Sequence, residues 1–279
     1  MMNNHRAVLV TGASSGIGKC CAEYLAQQGC RVYGTSRRIE STNSERQPPN
    51  TNLFQMIQMD VTDEASVKNG IASIIARESR IDVVVNNAGF AIIGSLEDTT
   101  IEEAKSQLET NFFGSLRVCH AVLPVMRRQR SGYIVSVSSI GGIIGLPFQS
   151  AYSASKFALE GAMEALRIEL RPFGIHVVLI EPGDFKTEIT TQRQKAEKST
   201  GSSAYYSTFQ KVLRIVESGE RKAPTPEPIA ILLNKIIHMN SPRLRYTAGT
   251  FSQRIAVPLK KILPSRLFES LVSGSFQAN

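Results

Sequence analysis

Near its N-terminus the chain reads Thr11-Gly12-Ala13-Ser14-Ser15-Gly16-Ile17-Gly18, between the apolar run Ala7–Val10 and a helical pattern over residues 15–28. Glycines in such a turn let the backbone bend tightly and approach a pyrophosphate, and the helix N-terminus behind it offers free N–H groups. An ordinary glycine-rich loop is the alternative, but the position at a strand-to-helix junction favours a dinucleotide site. We expect the cofactor to contact this loop through Gly12, Ser14, Ser15, Gly16, Ile17 and Gly18.

Beyond this loop, short apolar runs alternate with longer helical patterns as far as residue 182. The strand-like runs span 7–10, 31–35, 54–59, 82–85, 133–137 and 176–180, and the helical patterns span 15–28, 64–78, 101–128 and 151–171. Strands separated by helices form parallel sheets through βαβ crossovers. The sequence therefore predicts an α/β protein: a single Rossmann-fold domain over residues 1–279, with a doubly wound, mostly parallel sheet and helices on both faces.

The pattern changes after Pro182. Residues 184–228 are rich in Ser, Thr and Lys without clear periodicity, and a segment of this length inside a compact domain is commonly functional. We interpret it as a lid over the substrate, in which aromatic residues such as Phe185 and Phe209 favour an apolar carbonyl compound. A helix at 229–238, a last strand at 244–246 and short helices within 251–272 follow, and residues 241–279 form a C-terminal extension.

The end of the second strand bears on the choice of cofactor. In a site for NAD, an acidic residue about 20 positions after the glycine loop bonds the ribose 2′-hydroxyl. This chain instead has Ser36, Arg37 and Arg38 there, and arginine pairs with a phosphate that an acid would repel. We therefore predict NADP(H), held chiefly by Arg37 with Ser36 or Ser14 assisting. The alternative is that both arginines belong to a solvated strand end.

The net charge of +8 suits an anionic partner, which could be a phosphorylated cofactor, an acyl carrier, nucleic acid or a membrane surface. No nucleic-acid motif accompanies the basic residues, and we expect no nucleic-acid partner. The four cysteines and four histidines have no ligand spacing, so we predict no metal site. The N-terminus lacks a secretory pattern and no apolar run approaches the length of a membrane span, which together favour a cytoplasmic protein.

Further motifs follow in a fixed order: Asp60-Val61, Asn86-Asn87-Ala88-Gly89, Asn111, Ser138-Ser139, Tyr152-Ser153-Ala154-Ser155-Lys156 and Pro182-Gly183. Each is short, but together with the glycine loop their order and spacing are very specific. On these residues the chain resembles the short-chain dehydrogenase/reductase family over residues 5–190. The resemblance implies a Rossmann fold and an oxidoreductase that moves a hydride between a nicotinamide cofactor and a carbonyl/alcohol pair.

Their spacing supports a catalytic pair at Tyr152 and Lys156. Residues four apart in a helix share a face, about 5–6 Å apart. A phenol ordinarily titrates near ~10, and a nearby ammonium favours the phenolate, so we expect Lys156 to lower the pKa of Tyr152 toward neutral pH. Ser139 ends a strand, and the carboxyl ends of parallel strands face the ligand crevice, where its hydroxyl can hold the substrate oxygen.

The resemblance also assigns roles by position. Tyr152 would be the general acid in reduction, Lys156 would bind the nicotinamide ribose, Ser139 would orient the carbonyl, and Asn111 would complete a proton relay through water. Asparagine is a poor helix former, so we also expect a kink at Asn111. The remaining cofactor contacts that the resemblance implies are Asp60, Val61, Asn87, Ala88, Gly89, Pro182, Gly183 and Thr187, the last at the nicotinamide amide.

The tail beyond residue 240 bears on the choice among the possible substrates. It loosely resembles the steroid- and retinoid-type branch of the family, which favours a lipophilic small-molecule carbonyl or alcohol. A 3-oxoacyl thioester reductase acting on an acidic carrier and a non-catalytic NADP(H)-binding regulator are the alternatives. The complete set of Ser139, Tyr152 and Lys156 argues against the regulator.

The tail also bears on partners. Residues 243–268 carry six basic side chains and no acidic one, interleaved with apolar residues. They form either a cationic outer face over an apolar inner one, or a helix lying on an anionic membrane surface where a lipophilic substrate would be collected. By the family resemblance, the helices at 101–128 and 151–171 pack across a two-fold axis, so we expect a homo-oligomer, either a dimer or a tetramer.

Overall fold

The computed structural model describes residues 5–38, 54–187 and 193–276. Seven strands form its central sheet: β1 (Ala7–Val10), β2 (Arg31–Ser36), β3 (Gln55–Gln58), β4 (Val83–Asn86), β6 (Gly132–Val137), β7 (Ile175–Pro182) and β9 (Arg245–Ala248). They lie in the order β3-β2-β1-β4-β6-β7-β9, and every neighbouring pair is parallel. A second, two-stranded sheet pairs β5 (Ile92–Ile93) with β8 (Gln194–Lys195). The strand order reverses between β1 and β4, which opens a crevice at the carboxyl ends of the strands.

Helices cover both faces of the central sheet. They are α1 (Gly16–Gln27), α2 (Glu64–Glu78), α3 (Ile101–Leu108), α4 (Gly114–Gln129), α5 (Ser150–Leu170), α6 (Tyr206–Lys222), α7 (Glu227–Ile237), α8 (Phe251–Ile262) and α9 (Ser265–Phe276). Leu9 packs in a core with α2, α4 and α5, whereas Val8 and Val10 pack in a second core with α1 and α7. Successive residues of β1 thus serve opposite faces, as in other doubly covered parallel sheets. The predicted doubly wound Rossmann fold is confirmed.

The segment after Pro182 differs from its prediction. Residues 184–228 were expected to be irregular, but β8 and α6 lie within them. The buried residues Phe209, Val212 and Leu213 of α6 recur at helical spacing, and the many polar residues between them conceal this period in the sequence. Residues 188–192 of this segment lie outside the described residues.

The C-terminal extension is anchored at the end of β7. The Gly183 N–H donates to the Ala248 carbonyl at 2.7 Å. Thr250 and Gln253 form a capping box at the start of α8, and Gln253 Nε2 donates to Asp184 Oδ2 at 2.8 Å. The turn between β9 and α8 uses Gly249 at a φ of 147°, which L side chains rarely adopt. Residues beyond 240 are therefore brought to the carboxyl end of β7, beside the Pro182-Gly183 motif.

Arg245 joins the last strand to two buried carboxylates. Its Nε lies 2.9 Å from Glu160 Oε2 on α5 and 3.6 Å from Glu181 Oε1 on β7. The side chains of Glu160 and Glu181 are only 7% and 1% exposed. Because a buried charge is costly without a partner, Arg245 stabilises the contact among α5, β7 and β9.

Candidate active site

The carboxyl ends of the central strands border one cavity of about 770 Å³. It extends from the glycine loop past Tyr152 and Lys156 to apolar residues of α6, α8 and α9. Most predicted site residues line it: Gly12, Ser14, Ser15, Gly16, Ile17, Ser36, Arg37, Val61, Asn87, Ala88, Gly89, Asn111, Ser139, Tyr152, Lys156, Pro182, Gly183 and Thr187. Gly18, Arg38 and Asp60 are described but do not belong to this lining.

The glycine loop is held against the end of β4. Gly12 takes a φ of 65°, and a Cβ atom there would lie 2.8 Å from Ala88 Cα, so glycine alone suits this approach. A Cβ atom at Gly18 would lie 2.3 Å from Asn87 Nδ2. That amide donates to the carbonyls of Thr11 and Gly12 at 2.9 and 3.1 Å. Asn87 therefore braces the loop, and the absence of a side chain at Gly18 leaves room for the Asn87 amide.

Helix α1 begins directly behind this loop. Its N-cap residue, Ser15, makes no side-chain capping bond, and its first turn has no acidic residue. A helix N-terminus carries partial positive charge and attracts phosphate groups. The close approach at Gly12 and the hydroxyls of Ser14 and Ser15 therefore fit the pyrophosphate of a nicotinamide dinucleotide.

The residues predicted to contact the adenosine end separate into two groups. Ser36 and Arg37 line the cavity, as does Val61. Asp60 instead accepts hydrogen bonds from Thr62 N and Thr62 Oγ1 at 2.9 and 2.8 Å, and so holds the turn into α2. Among the described residues, this end of the cavity has an arginine and no lining carboxylate, which is the arrangement that suits a 2′-phosphate.

Three of the four predicted catalytic side chains, Ser139, Tyr152 and Lys156, line the same part of the cavity. Lys156 Nζ lies 5.9 Å from the centre of the Tyr152 ring and donates to the Val137 carbonyl at 2.8 Å. Ser139 directly follows β6, and its Oγ donates to the Pro182 carbonyl at 3.4 Å. The same hydroxyl lowers the pKa of Tyr152 as a hydrogen-bond partner of the phenol. Ser139 Oγ also accepts from Gly141 N at 3.0 Å, which fixes its orientation. A carbonyl oxygen bound here can contact both hydroxyl groups.

The pKa of Tyr152 is opposite in direction to the prediction. Burial raises it above the ordinary phenol value and outweighs the hydrogen bond from Ser139, which lowers it. Burial also lowers the pKa of Lys156 to about 8. We expected Lys156 to lower this pKa, but the groups that lower it are Ser139 and Arg193, and burial outweighs both because removing the phenolate from water is costly. Tyr152 therefore stays protonated through neutral pH and is suited to donate a proton.

Asn111 lies in a single π-helical turn, Glu109–Phe113, between α3 and α4. This turn is the predicted kink in the helix at 101–128, and such turns are common at functional sites. Asn111 Oδ1 accepts from Phe90 N, and its Nδ2 donates to Phe90 O and Ser155 Oγ, all at 3.1 Å. These bonds tie the cavity wall to α5, one residue before Lys156.

A polar cluster in the same cavity was not predicted. Asp184, Arg193, Glu220 and Gln253 all line it, and Arg193 Nη2 forms an ion pair with Glu220 Oε1. Asp184 follows the Pro182-Gly183 motif directly, which is the one signal that could have found it. Arg193 and Glu220 come from a polar segment in which charged side chains are ordinarily exposed.

The remaining features bear on metal binding, disulfides and membrane crossing. Within residues 5–38, 54–187 and 193–276, no three His, Cys, Asp or Glu side chains are grouped to hold a metal ion. The four cysteines are unpaired, and burial raises the pKa of Cys119 to about 11. None of the helices in those ranges has the length and apolar character needed to cross a membrane.

Comparison with known proteins identifies the family. A model of the short chain dehydrogenase family matches residues 6–198. A 3-ketodihydrosphingosine reductase of Bacteroides thetaiotaomicron is 42% identical over 262 residues, covering 94% of both chains, and 17-beta-hydroxysteroid dehydrogenase type 1 of Homo sapiens is 35% identical, covering 86% of this chain and 76% of its own. The crystal structure of a short-chain dehydrogenase from Streptomyces avermitilis matches with a TM-score of 0.82 at 33% identity, covering 93% of this chain and 94% of that one. As its motifs predicted, the chain belongs to the short-chain dehydrogenase/reductase family of oxidoreductases.

Proposed function

We propose that the chain is an NADP(H)-dependent oxidoreductase that interconverts a ketone and a secondary alcohol on a long-chain, lipid-like molecule. The chemistry of the cavity carries this proposal. Apart from the polar groups around Tyr152 and Arg193, its substrate end is lined by apolar side chains that include Ile144, Leu146, Val216, Leu259, Phe268 and Val272. Such walls stabilise a hydrocarbon chain by removing it from water.

The names of the relatives support a lipophilic substrate. One is a 3-ketodihydrosphingosine reductase and the other a 17-beta-hydroxysteroid dehydrogenase. The first shares more identity with this chain, and over more of its own length, so we favour a linear chain over a steroid. A 3-oxoacyl thioester is the second candidate, because the basic surface suits an acidic carrier.

The proposed chemistry uses Ser139, Tyr152 and Lys156. The reduced cofactor supplies the hydride that adds to the carbonyl carbon. The Ser139 hydroxyl holds the carbonyl oxygen, and the protonated Tyr152 phenol donates its proton to that oxygen, which yields the alcohol. Lys156, charged below a pH of about 8, stabilises the phenolate left on Tyr152. In oxidation the phenolate takes the proton of the alcohol instead.

The preference for NADP(H) is proposed on Arg37. It lines the cavity at the end of β2 beside Ser36. The two acidic residues of the lining, Asp184 and Glu220, belong to the substrate end and not to this one. As far as the described residues go, a guanidinium can therefore pair with a 2′-phosphate there without competition from a lining carboxylate.

We also propose that the protein works at an anionic membrane surface. Helix α9 has no buried residue, although its Phe268 lines the cavity. Phe251 and Ile262 on α8 are 78% and 76% exposed. The cations nearby in sequence are Arg254, Lys261 and Arg266. Exposed apolar side chains flanked by cations favour a lipid surface, from which a lipid could pass into the adjoining cavity.

The quaternary state and the compartment are proposed on the exposed helices and on the cysteines. Ile101 on α3 and Ile168 on α5 are 66% and 72% exposed. A homo-oligomer that packs these helices across a two-fold axis would cover them. Four unpaired cysteines are in keeping with a reducing compartment, and we propose the cytoplasm.

The experiment follows oxidation of NADPH and NADH with four carbonyl compounds: a linear long-chain ketone, a steroid ketone, retinal and a 3-oxoacyl thioester. We expect NADPH-linked reduction of the linear ketone, and none in Tyr152→Phe. Best turnover of the thioester would favour the second candidate. Tight NADPH binding without turnover of any compound would favour the regulator, and turnover with NADH alone would refute the role of Arg37.

A further inference from the structure

The Arg193–Glu220 ion pair is buried in the wall of the cavity. The two side chains are only 4% and 8% exposed. Nε and Nη1 of Arg193 are also buried and have no hydrogen-bond partner in the part of the chain that the structure describes. A buried guanidinium donor without a partner has lost its water without compensation, so such donors are rare. These two donors indicate that this part of the cavity wall binds a hydrogen-bond acceptor of the ligand.

Asp184 lies beside this ion pair. Its Oδ2 accepts a hydrogen bond of 2.8 Å from Gln253 Nε2. A Cβ atom at Gly219, the residue before Glu220, would lie 3.2 Å from the same oxygen, so α6 packs closely against Asp184 at this point. The cluster therefore brings together one guanidinium and two carboxylates, which leaves an excess of negative charge.

The cluster also lies close to the reacting group. Burial has the largest effect on the pKa of Tyr152, and the charges of Arg193, Glu220 and Asp184 act on that pKa as well. All three side chains also line the cavity that Tyr152 lines, so they share it with the phenol that would meet the substrate carbonyl. A group bound by them would be carried on carbons close to that carbonyl.

We propose that Arg193, Glu220 and Asp184 form a headgroup subsite for an amino alcohol, with Arg193 donating to a substrate hydroxyl and Asp184 binding the neighbouring ammonium. The inference rests on the proposed function and extends it: the substrate is a long-chain ketone with hydroxyl and amino groups on the carbons beside the ketone. A hydroxyl oxygen supplies the acceptor for the guanidinium, and an ammonium balances the second carboxylate. Two carboxylates against one guanidinium disfavour a carboxylate or phosphate headgroup.

Two ketones of equal chain length separate recognition from a structural role: one bears the hydroxyl and amino groups, and the other bears neither. The double variant Arg193→Met/Glu220→Gln removes the ion pair without leaving either charge unpaired. We expect its kcat/KM for the amino-alcohol ketone to fall roughly ten- to hundredfold more than that for the plain ketone. Arg221→Met/Glu217→Gln is the matched control, because this ion pair on the same helix is 63% and 30% exposed.

Asp184→Asn tests separately whether Asp184 binds the substrate ammonium. The substitution is nearly isosteric, so it also provides a test if the double variant does not fold. We expect it to weaken turnover of the free amine at least several-fold more than turnover of the N-acetylated ketone. Equal losses on both ketones would overturn the subsite and assign the cluster a structural role. Wild-type protein that reduces both ketones equally well would overturn the subsite and leave the proposed function standing. Wild-type protein that reduces neither would overturn both.

Discussion

Lys156 Nζ donates a hydrogen bond of 2.8 Å to the main-chain carbonyl of Val137, which holds the ammonium of α5 against the end of β6. Burial lowers the pKa of Lys156 from 10.5 to about 8, with Glu160 opposing the change. The unfolded chain therefore binds this proton more tightly than the folded protein does. Below a pH of about 8, the positive charge on buried Lys156 reduces the free energy of unfolding. This reduction becomes smaller as the pH rises from about 8 toward 10.5.

Lys156→Met should therefore abolish turnover and raise the free energy of unfolding at pH 7 by about 1–2 kcal/mol. The Val137 carbonyl loses this donor, which keeps the gain below the full penalty. Urea unfolding at pH 7 and pH 10 measures the change, and the gain should shrink at the higher pH. Lys68→Met, at a side chain that is 66% exposed, is the control and should change little. A Lys156→Met protein less stable at pH 7 would contradict the assignment.

The hydrogen bond from Ser139 to Tyr152 leads to a prediction about pH. It lowers a phenol pKa that burial has raised, so Ser139→Ala should raise that pKa further. Ketone reduction needs the protonated phenol and slows as the pH rises through this pKa, whereas alcohol oxidation needs the phenolate and speeds up. Ser139→Ala should move both changes to higher pH and lower kcat by roughly 10²–10³.

Profiles of rate against pH in both directions measure this shift. Ser138→Ala is the matched control, because its buried hydroxyl has no hydrogen-bond partner among the described residues. It should leave the profile in place and cost little stability. A profile that stays in place in Ser139→Ala would rule out the assigned hydrogen bond.

The site could be predicted wherever its residues are close in sequence. The glycine loop lies within residues 11–18, and helical geometry alone relates Tyr152 to Lys156. Arg193 and Glu220 are 27 residues apart and meet only because β8 and α6 fold back over the cavity. No periodic pattern in the local sequence indicates a contact between such distant residues. The direction of the pKa shift at Tyr152 depends on total burial, which a sequence without coordinates does not reveal.

Cofactor preference should change at Arg37. Arg37→Asp replaces the proposed partner of the 2′-phosphate by a group that repels it, so kcat/KM for NADPH should fall roughly ten- to hundredfold. The value of kcat/KM for NADH should stay the same or rise. Arg38→Asp makes the same charge change at the next residue, which does not line the cavity. Equal effects of the two variants would show that general charge, and not a bond from Arg37, sets the preference.

Asn111 should stabilise the protein as well as its site. Asn111→Ala leaves the Phe90 N–H without its partner, which should cost about 2 kcal/mol of unfolding free energy and lower kcat. The Phe90 carbonyl keeps a second donor, Gln107 Nε2 at 2.6 Å. Asn111→Asp retains an acceptor for the N–H and, at a pH of about 4 where a buried carboxyl is neutral, should lose less stability than Asn111→Ala. Urea unfolding measures the stability of both variants. Equal losses of unfolding free energy would show that the hydrogen bond from the Phe90 N–H is not what Asn111 contributes.

Membrane association should depend on charge at the C-terminal helices. Vesicles rich in anionic lipid should sediment the full chain, and neutral vesicles or high salt should release it. Lys261→Glu/Arg266→Glu should bind less, whereas Lys68→Glu/Lys105→Glu makes the same charge change on α2 and α3 and should not. Equal partitioning of the two variants would refute the proposed surface.

The ion pairs of Arg245 also have a consequence for how the chain is made. Synthesis reaches Glu160 and Glu181 well before the residue that neutralises them, since β9 is the last strand of the sheet. A product that stops between residues 182 and 245 would hold the whole catalytic set and yet leave two carboxylates at the sheet edge without their cation. Such a fragment would be open to proteolysis. The last strand thus completes the charge balance at the sheet edge only after every catalytic residue has been made.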